Sequence, residues 1–179
     1  ANYKNQLNSS EDLNYWKDIF SVEQQVIDYN NSAKRPEFRT FQSARLDTRM
    51  KKSTIIELRK KARSEGVTLY QYLLTSFFHT LEMKTKKNDH TVGISQAGQT
   101  NPSFSSVVGH CVGLLPIRLK YDSSYLDYSS KLQMVKKVIL AAQKHSQVSF
   151  GEICEAVSLK RDPSRIPLVP ITFNLDIQP

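Results

Sequence analysis

The chain has 179 residues, 39% of them hydrophobic, which suits one domain or large subdomain with a buried core. It contains no run of about 18 apolar residues, which excludes a membrane-spanning helix, and its polar first ten residues give no support to secretion. The formal net charge is +8, and residues 34–63 carry all of it, with eleven Lys/Arg against three acids. This segment is predicted to attract an acidic partner, either a protein or nucleic acid, although it carries no recognisable nucleic-acid motif. A solvated helix face is the alternative.

The first predicted elements are a helix, a linker and a strand. Ser9–Asp12 is a capping sequence, and apolar side chains follow it at helical spacing: Leu13, Trp16, Ile19 and Phe20. The polar stretch Asn30–Pro36 is a predicted linker. Alternating side chains over Phe41–Arg49 then favour a strand.

Two helices are predicted next, one on each side of a turn. The first covers Ser53–Glu65 and ends at Gly66, and Thr68 caps the second. Apolar side chains recur every four residues along the second helix, at Leu69, Leu73, Phe77 and Leu81. The aromatic side chains of this helix are predicted to belong to the core: Tyr70, Tyr72, Phe77 and Phe78.

The second half of the chain alternates strands with helices. A buried strand at Thr91–Ser95, a polar loop at Gln96–Val108 and a strand at Cys111–Leu119 come first, and Pro116 indicates an edge or a bulge. A long helix, Tyr125–His145, carries an apolar stripe at Leu132, Val135, Ile139 and Ala142. A short helix, a turn and a final strand follow, at Phe150–Val157, Arg161–Pro167 and Leu168–Ile177. The alternation predicts an α/β fold, a two-layer sandwich with helices packed on a mixed sheet.

The reactive residue types form no recognisable catalytic or metal-binding pattern. Cys111 and Cys154 have neither C-x-x-C spacing nor a histidine at ligand spacing, so both are predicted to be reduced thiols. The sequence contains no G-x-S-x-G elbow and no glycine-rich phosphate loop. Structural roles are expected for all four histidines: His79, His90, His110 and His145. His90 is predicted to be exposed. His145 is predicted to end a helix, where the helix dipole suits a protonated imidazole.

Five short motifs follow one another along the chain: Tyr15-Trp16 leading through Arg35-Pro36 to Phe41–Leu46, HTVGISQAGQ at 90–99, VGHCVGLLPIR at 108–118, HSQVSF at 145–150 and RDPSRIPL at 161–168. In this order they resemble nonribosomal peptide synthetase condensation domains. The first is similar to the segment that joins the two lobes of the family, and the second to a strand ending in Ala-Gly-Arg or Ala-Gly-Gln. The last three resemble I-G-x-F-V-N-T-x-x-x-R, H-x-x-x-P-F and R-D-x-S-R-x-P-L.

The resemblance implies one lobe of a chloramphenicol-acetyltransferase-like fold, with residues 1–36 as inter-lobe helix and linker and 37–179 as a partial C-terminal lobe. It also implies a cytoplasmic domain that forms an amide bond between acyl and aminoacyl groups on the phosphopantetheine arms of donor and acceptor carrier proteins. The expected partners are those carriers and the N-terminal lobe, with no nucleic acid, no membrane and no directly bound cofactor.

The catalytic His-His-x-x-x-Asp-Gly motif of the family is absent from this sequence. The missing initiator Met and the end soon after the final strand favour an excised piece. We therefore expect the fragment alone to be inactive, with no catalytic residue and no metal site of its own.

The resemblance suggests four substrate-tunnel candidates: Ser95, Gln99, His110 and Gly113. Gly113 stands where the family has an asparagine, so a polar contact would be lost there. Structural roles are expected for the other motif positions: Arg118, His145, Phe150, Arg161, Asp162 and Arg165. The alternatives are a degenerate domain that only recruits partners, which Gly113 supports, and a related acyltransferase or epimerisation domain on the same fold.

Overall fold

The computed structural model describes residues 9–22, 27, 29, 35–97, 108–109, 112–121, 126–159 and 162–176. The described elements are α1 (Ser9–Ile19), α2 (Lys52–Ser64), α3 (Leu69–Thr85), β1 (Asp89–Ala97), β2 (Val112–Lys120), α4 (Tyr128–Lys144), α5 (Phe150–Val157) and β3 (Thr172–Phe173). The strands form one sheet in the order β2-β1-β3, in which β1 pairs antiparallel with β2 and parallel with β3. Helices contact this mixed sheet, which confirms the predicted α/β class.

The turn between α2 and α3 forms as the sequence predicts. Gly66 has a φ of 65°, a left-handed conformation that glycine adopts without steric cost. The Thr68 hydroxyl accepts a hydrogen bond from Gln71 N, while the Gln71 side chain accepts one from Thr68 N. This capping box determines where α3 begins.

The buried face of α3 does not follow the four-residue repeat that predicted this helix. Leu69, Leu73 and Phe77 are only partly buried. A repeat of four drifts about 40° per step around a helix of 3.6 residues per turn, whereas a fixed face follows i, i+3, i+4, i+7 spacing. The buried positions have that spacing: Gln71, Leu74, Thr75, Phe78 and Leu81.

The aromatic side chains of α3 do pack in or against the core. Phe78 is buried, and Tyr70, Tyr72 and Phe77 are partly buried against neighbouring apolar groups. The rings of Tyr70 and Phe77 each lie 5.5 Å from the ring of Phe173, measured between centroids. These contacts hold α3 against the end of the chain that contains β3.

The helices α4 and α5 confirm their predictions closely. The four stripe residues of α4 are buried: Leu132, Val135, Ile139 and Ala142. Helix α5 spans the predicted residues, and Ser149 is its N-cap, forming a capping box with Glu152. Serine at position 149 therefore has a local role in starting α5 where the family motif has proline.

The β1–β2 hairpin runs through Pro116 without a break. Residues pair continuously from Asp89 with Lys120 to Ala97 with Val112, and Pro116 pairs with Gly93. The Gly93 N–H donates to Ile171 O at 2.9 Å, away from β2, so Gly93 and Pro116 form a non-hydrogen-bonded pair. The position where Pro116 lacks an N–H therefore faces the outer side of β2. Within the described residues β2 is an edge strand and its pairing with β1 contains no bulge, so Pro116 fits the first of the two predicted alternatives.

Gly93 lies at a tightly packed point of the sheet. A Cβ atom there would meet the Val169 side chain, with Leu114 Cδ1 at 3.0 Å and Thr172 Cγ2 at 3.2 Å. The missing side chain lets the segment containing Val169 and β3 approach β1 closely.

Two predicted strands differ from the structure. Phe41–Arg49 contains no strand, and Phe41 and Leu46 are 85% and 96% exposed, because no described strand lies beside this segment to complete a ladder. The predicted strand Leu168–Ile177 is reduced to Thr172–Phe173 in the described part of the chain, which ends at Asp176. The φ of 56° at Leu168 and the missing N–H of Pro170 prevent an earlier start.

Candidate functional site

The end of the β1–β2 hairpin where β1 ends and β2 begins contains two of the four predicted tunnel residues. Ser95 pairs with Leu114 and Gly113 pairs with Gln96, and both Ser95 and Gly113 are exposed. Directly paired residues of antiparallel strands face the same side of a sheet, while successive residues face opposite sides. Ser95 therefore faces one side of the hairpin and the Gly113 position faces the other. The remaining candidates, Gln99 and His110, lie outside the described residues.

Gly113 borders open space. The nearest heavy atom to a Cβ placed there is Gln96 O, at 3.9 Å, which is an ordinary van der Waals distance. A larger side chain at position 113 therefore fits without a clash, and glycine is not required there for steric reasons.

Arg118 forms a buried network that joins the hairpin to α1. Its Nε and Nη2 donate to the two carboxylate oxygens of Asp89, at 2.9 and 2.6 Å. Its Nη1 donates to the carbonyl oxygens of Ile19 and Val22, both at 2.9 Å, where α1 ends. The guanidinium also lies over the Phe20 ring, 5.8 Å from the centroid. Arg118 thus holds the end of α1 against the sheet.

A second set of contacts holds α1 against the end of α4. The buried Trp16 donates from Nε1 to the carbonyl oxygen of His145 at 2.8 Å. His145 Nδ1 lies 2.8 Å from Asp12 Oδ1, and its ring stacks on Tyr15 with 4.2 Å between centroids. His145 caps α4, as the sequence predicts, and also forms part of the α1–α4 contact.

His90 is buried, and the prediction that it is exposed is wrong. Its Nε2 lies 3.0 Å from the Lys87 carbonyl oxygen, so Nε2 carries the proton, and Nδ1 accepts a hydrogen bond from the Tyr29 hydroxyl at 3.1 Å. Burial, with Asp89 nearby, raises the pKa of Tyr29 to about 12, so Tyr29 keeps the proton that it donates. Tyr29 is 61 residues away in the sequence, so this contact, which helps to bury His90, could not be predicted.

We expect the unfolding free energy to decrease as the pH falls below about 6.5, in part because of His90. Burial lowers the pKa of His90 in spite of the Lys87 carbonyl and the Asp89 charge. Between the two pKa values the unfolded chain binds a proton that the folded chain does not, so protonation favours unfolding. Urea unfolding at pH 7.5 and 5.5 measures this loss of stability, which should be smaller in H90Q. An equal pH dependence in H90Q would contradict the assignment.

The fifth motif forms a hydrogen-bonded turn. Asp162 Oδ1 accepts from Ser164 N at 2.9 Å and from Ser164 Oγ at 2.6 Å, and these bonds, with the Arg165 charge, lower the Asp162 pKa. Arg165 Nε lies 2.6 Å from Asp162 Oδ2, but the N–H is not aimed at this oxygen, so the contact is ionic. The Pro163 carbonyl oxygen accepts a hydrogen bond from Arg39 N at 3.0 Å, which attaches the non-helical stretch before α2 to this turn. Arg161 lies outside the described residues.

A further buried ion pair was not predicted from the sequence. Lys131 Nζ donates to Glu82 Oε2 at 2.6 Å between α4 and α3, and His79 Nδ1 lies 3.3 Å from the same oxygen. Burial alone would raise the pKa of Glu82, but hydrogen bonds from Lys131 and Tyr121 outweigh burial and lower it. His79 is exposed and contacts this pair from the solvent side, and the pair ties the two helices together.

The described residues contain no cluster of three or more His, Cys, Asp or Glu side chains that could hold a metal ion. Cys154 is a free thiol whose pKa burial raises, so it is a poor nucleophile. Cys111 lies outside the described residues. Thr85 Oγ1 lies 3.2 Å from His90 Nε2, but this histidine is buried and therefore out of reach of a substrate.

A protein-family model described as Condensation domain matches residues 1–178, and the chain belongs to this family. It is 29% identical over 173 residues to surfactin synthase subunit 2 of Bacillus subtilis (strain 168), covering 97% of this chain and 5% of that protein. It is 30% identical over 161 residues to tyrocidine synthase 2 of Brevibacillus parabrevis, covering 90% of this chain and 4% of that protein. The chain thus spans a small part of the length of these relatives.

Solved structures show the same fold. A four-domain nonribosomal peptide synthetase bound to AMP and glycine matches with a TM-score of 0.87 and 24% identity, over 93% of this chain and 13% of that chain. The X-domain from teicoplanin biosynthesis matches with a TM-score of 0.82 and 16% identity, over 93% and 37% of the two chains. The fold is that of condensation domains, which is chloramphenicol-acetyltransferase-like. None of the described helices is both long and apolar enough to cross a membrane.

Proposed function

We propose that residues 37–179 form most of the C-terminal lobe of a cytoplasmic condensation domain, and that residues 1–36 connect this lobe to the N-terminal lobe. The observation that carries the proposal is the match of the condensation-domain model to residues 1–178. In the complete domain, the amine of an acceptor aminoacyl group attacks the carbonyl carbon of a donor acyl thioester. A C–N bond forms, the C–S bond breaks, and the donor carrier protein keeps the free thiol of its phosphopantetheine arm.

In this proposal the chain supplies one wall of the substrate tunnel and part of the surface on which carrier proteins dock. The hairpin end with Ser95 and Gly113 is exposed, and it offers backbone groups and open space. The sequence lacks the catalytic histidine motif. The proton of the attacking amine is therefore handled by a group in the N-terminal lobe.

The chain alone should form no dipeptide. Donor and acceptor carrier proteins loaded with a panel of aminoacyl groups are mixed with the 179-residue chain or with the full-length protein that contains it, and products are measured by mass spectrometry. We expect amide product with the full-length protein and only uncatalysed background with the chain. Product from the chain alone would contradict the assignment of catalysis to the other lobe, and no product from the full-length protein would contradict the proposed reaction.

A degenerate domain that recruits another protein is the second candidate. Gly113 in place of the family asparagine favours it, and one structural neighbour was solved as a complex of the X-domain and OxyB from teicoplanin biosynthesis. Replacing Gly113 by asparagine in the full-length protein discriminates between the two functions, since the side chain fits without a clash. An active enzyme that lacks only this amide should form product about tenfold faster or more in G113N, as expected for a regained polar contact with the reacting groups. A recruitment domain should remain inactive in both forms.

A further inference from the structure

Helix α2 is attached to the rest of the molecule along one side only. Its one buried residue is Ala62, which packs with Val67 and Leu132. Two α4 side chains hold the end of the helix: Gln133 Nε2 donates to Glu65 O at 3.0 Å, and Lys136 Nζ donates to Gly66 O at 2.8 Å. These contacts fix how α2 is oriented and leave its opposite side in solvent.

The outward face of α2 is cationic. Its residues follow helical i, i+3, i+4 spacing and are all exposed: Lys52, Ile56, Arg59, Lys60 and Arg63. This set, named here the α2 face, contains four cations and one apolar side chain, and one exposed acid, Glu57, lies beside it. No carboxylate in the described part of the chain forms an ion pair with any of these four cations. By contrast, carboxylates neutralise the buried cations Arg118 and Lys131.

An open cavity of about 150 Å³ lies at the end of the α2 face. Arg59 and Arg63 line it together with three apolar residues, Ala62, Val67 and Leu69. The accessible lining of the cavity is mostly polar, because Ala62 and Val67 are themselves buried. The cavity therefore offers two arginine side chains, which suit a carboxylate.

We infer that the α2 face and its cavity are the docking site for an acidic, helical surface of a partner protein. The charge of the face selects a partner with clustered Asp and Glu side chains, because each unneutralised cation gains a complementary charge. The exposed residues span about 17 Å along the axis, the length of a three-turn helix. The exposed Ile56 gains an apolar contact that a phosphate backbone does not provide, and α2 has no aromatic side chain on which a base could stack. A protein therefore matches the face better than nucleic acid does.

This inference goes beyond the proposed function, which leaves open where and by what charge a partner docks. The inference is tested by a binding measurement that does not depend on catalytic activity. A failure of docking would leave the amide-forming reaction untouched, and an inactive domain would leave the docking result untouched.

The test measures fluorescence anisotropy of a labelled helical peptide with glutamates at i, i+4 positions around a central leucine, titrated with the 179-residue chain. We expect binding that weakens about tenfold or more in R59E/R63E and that also weakens as salt rises from about 50 to about 300 mM. The matched control is K17E/K144E, which makes the same change in net charge at exposed positions of α1 and α4, and its affinity should change by less than about twofold. R59Q/R63Q, which adds no repulsion, should fall between the two.

Circular dichroism of each variant establishes that it is folded before it is compared. Three results would each overturn the inference: no binding of the peptide, equal weakening in the two charge-reversed variants, or equal affinity for a peptide with glutamine in place of glutamate. Displacement of the peptide by a DNA duplex that binds more tightly and is lost in R59E/R63E would also overturn it, in favour of a nucleic-acid surface.

Discussion

Replacing Arg118 by methionine should lower the unfolding free energy by about 3–5 kcal/mol. The Arg118 and Asp89 side chains are only 4% and 7% exposed, so R118M leaves a buried carboxylate without its partner. The variant also leaves the Ile19 and Val22 carbonyl oxygens without their donor, which loosens the end of α1. Urea unfolding followed by circular dichroism measures the effect.

Two further variants make the Arg118 result interpretable. R118M/D89L removes both charges and should recover part of the lost stability, because the unpaired buried carboxylate is gone. R45M removes a cation whose ion pair with Asp47 is fully in solvent, and it should change the unfolding free energy by no more than about 0.5 kcal/mol. If R118M is as stable as R45M, the buried network does not hold the hairpin to α1.

Replacing Trp16 by alanine should cost about 3–5 kcal/mol of unfolding free energy. The side chain is 1% exposed within the main core, and its removal leaves a cavity between α1 and the end of α4. Because Trp16 is the only tryptophan in the sequence, unfolding must be followed by circular dichroism rather than by intrinsic tryptophan fluorescence.

The conservative variant W16F separates packing from hydrogen bonding. It keeps an aromatic ring in the core and loses the bond to the His145 carbonyl oxygen, which by itself costs about 1 kcal/mol. We expect W16F to lie clearly closer to the original protein than W16A. Equal unfolding midpoints for W16A and the original protein would show that α1 does not dock on α4.

Local patterns determined which parts of the fold could be predicted from sequence. The stripe of α4 and the N-cap of α3 at Thr68 each involve residues of one short stretch of chain, and both are confirmed. The buried face of α3 could not be predicted, because apolar side chains occupy several of its faces and only the neighbouring elements decide which face is covered. The strand predicted at Phe41–Arg49 failed for a related reason, since alternation shows that a segment can be a strand but supplies no partner.

The anchoring residues were only partly accessible to sequence reasoning. The resemblance marked Arg118 as structural, but its partner Asp89 lies 29 residues away and its carbonyl acceptors 96 and 99 residues away. Tyr29, which binds His90 from 61 residues away, gave no signal at all. The candidate tunnel residues Ser95 and Gly113 were predicted from motifs alone, and their opposite orientations follow only from the register of the hairpin.

Pro116 also affects how hydrogen bonds are satisfied on the outer side of β2. In the described part of the molecule β2 is the outer strand, yet the residues from Leu115 to Leu119 are all buried, so the middle of this strand is covered rather than open to solvent. A backbone N–H that is buried there without a ladder partner would cost free energy. Proline has no N–H to leave unsatisfied on that side, while its pairing with β1 stays intact.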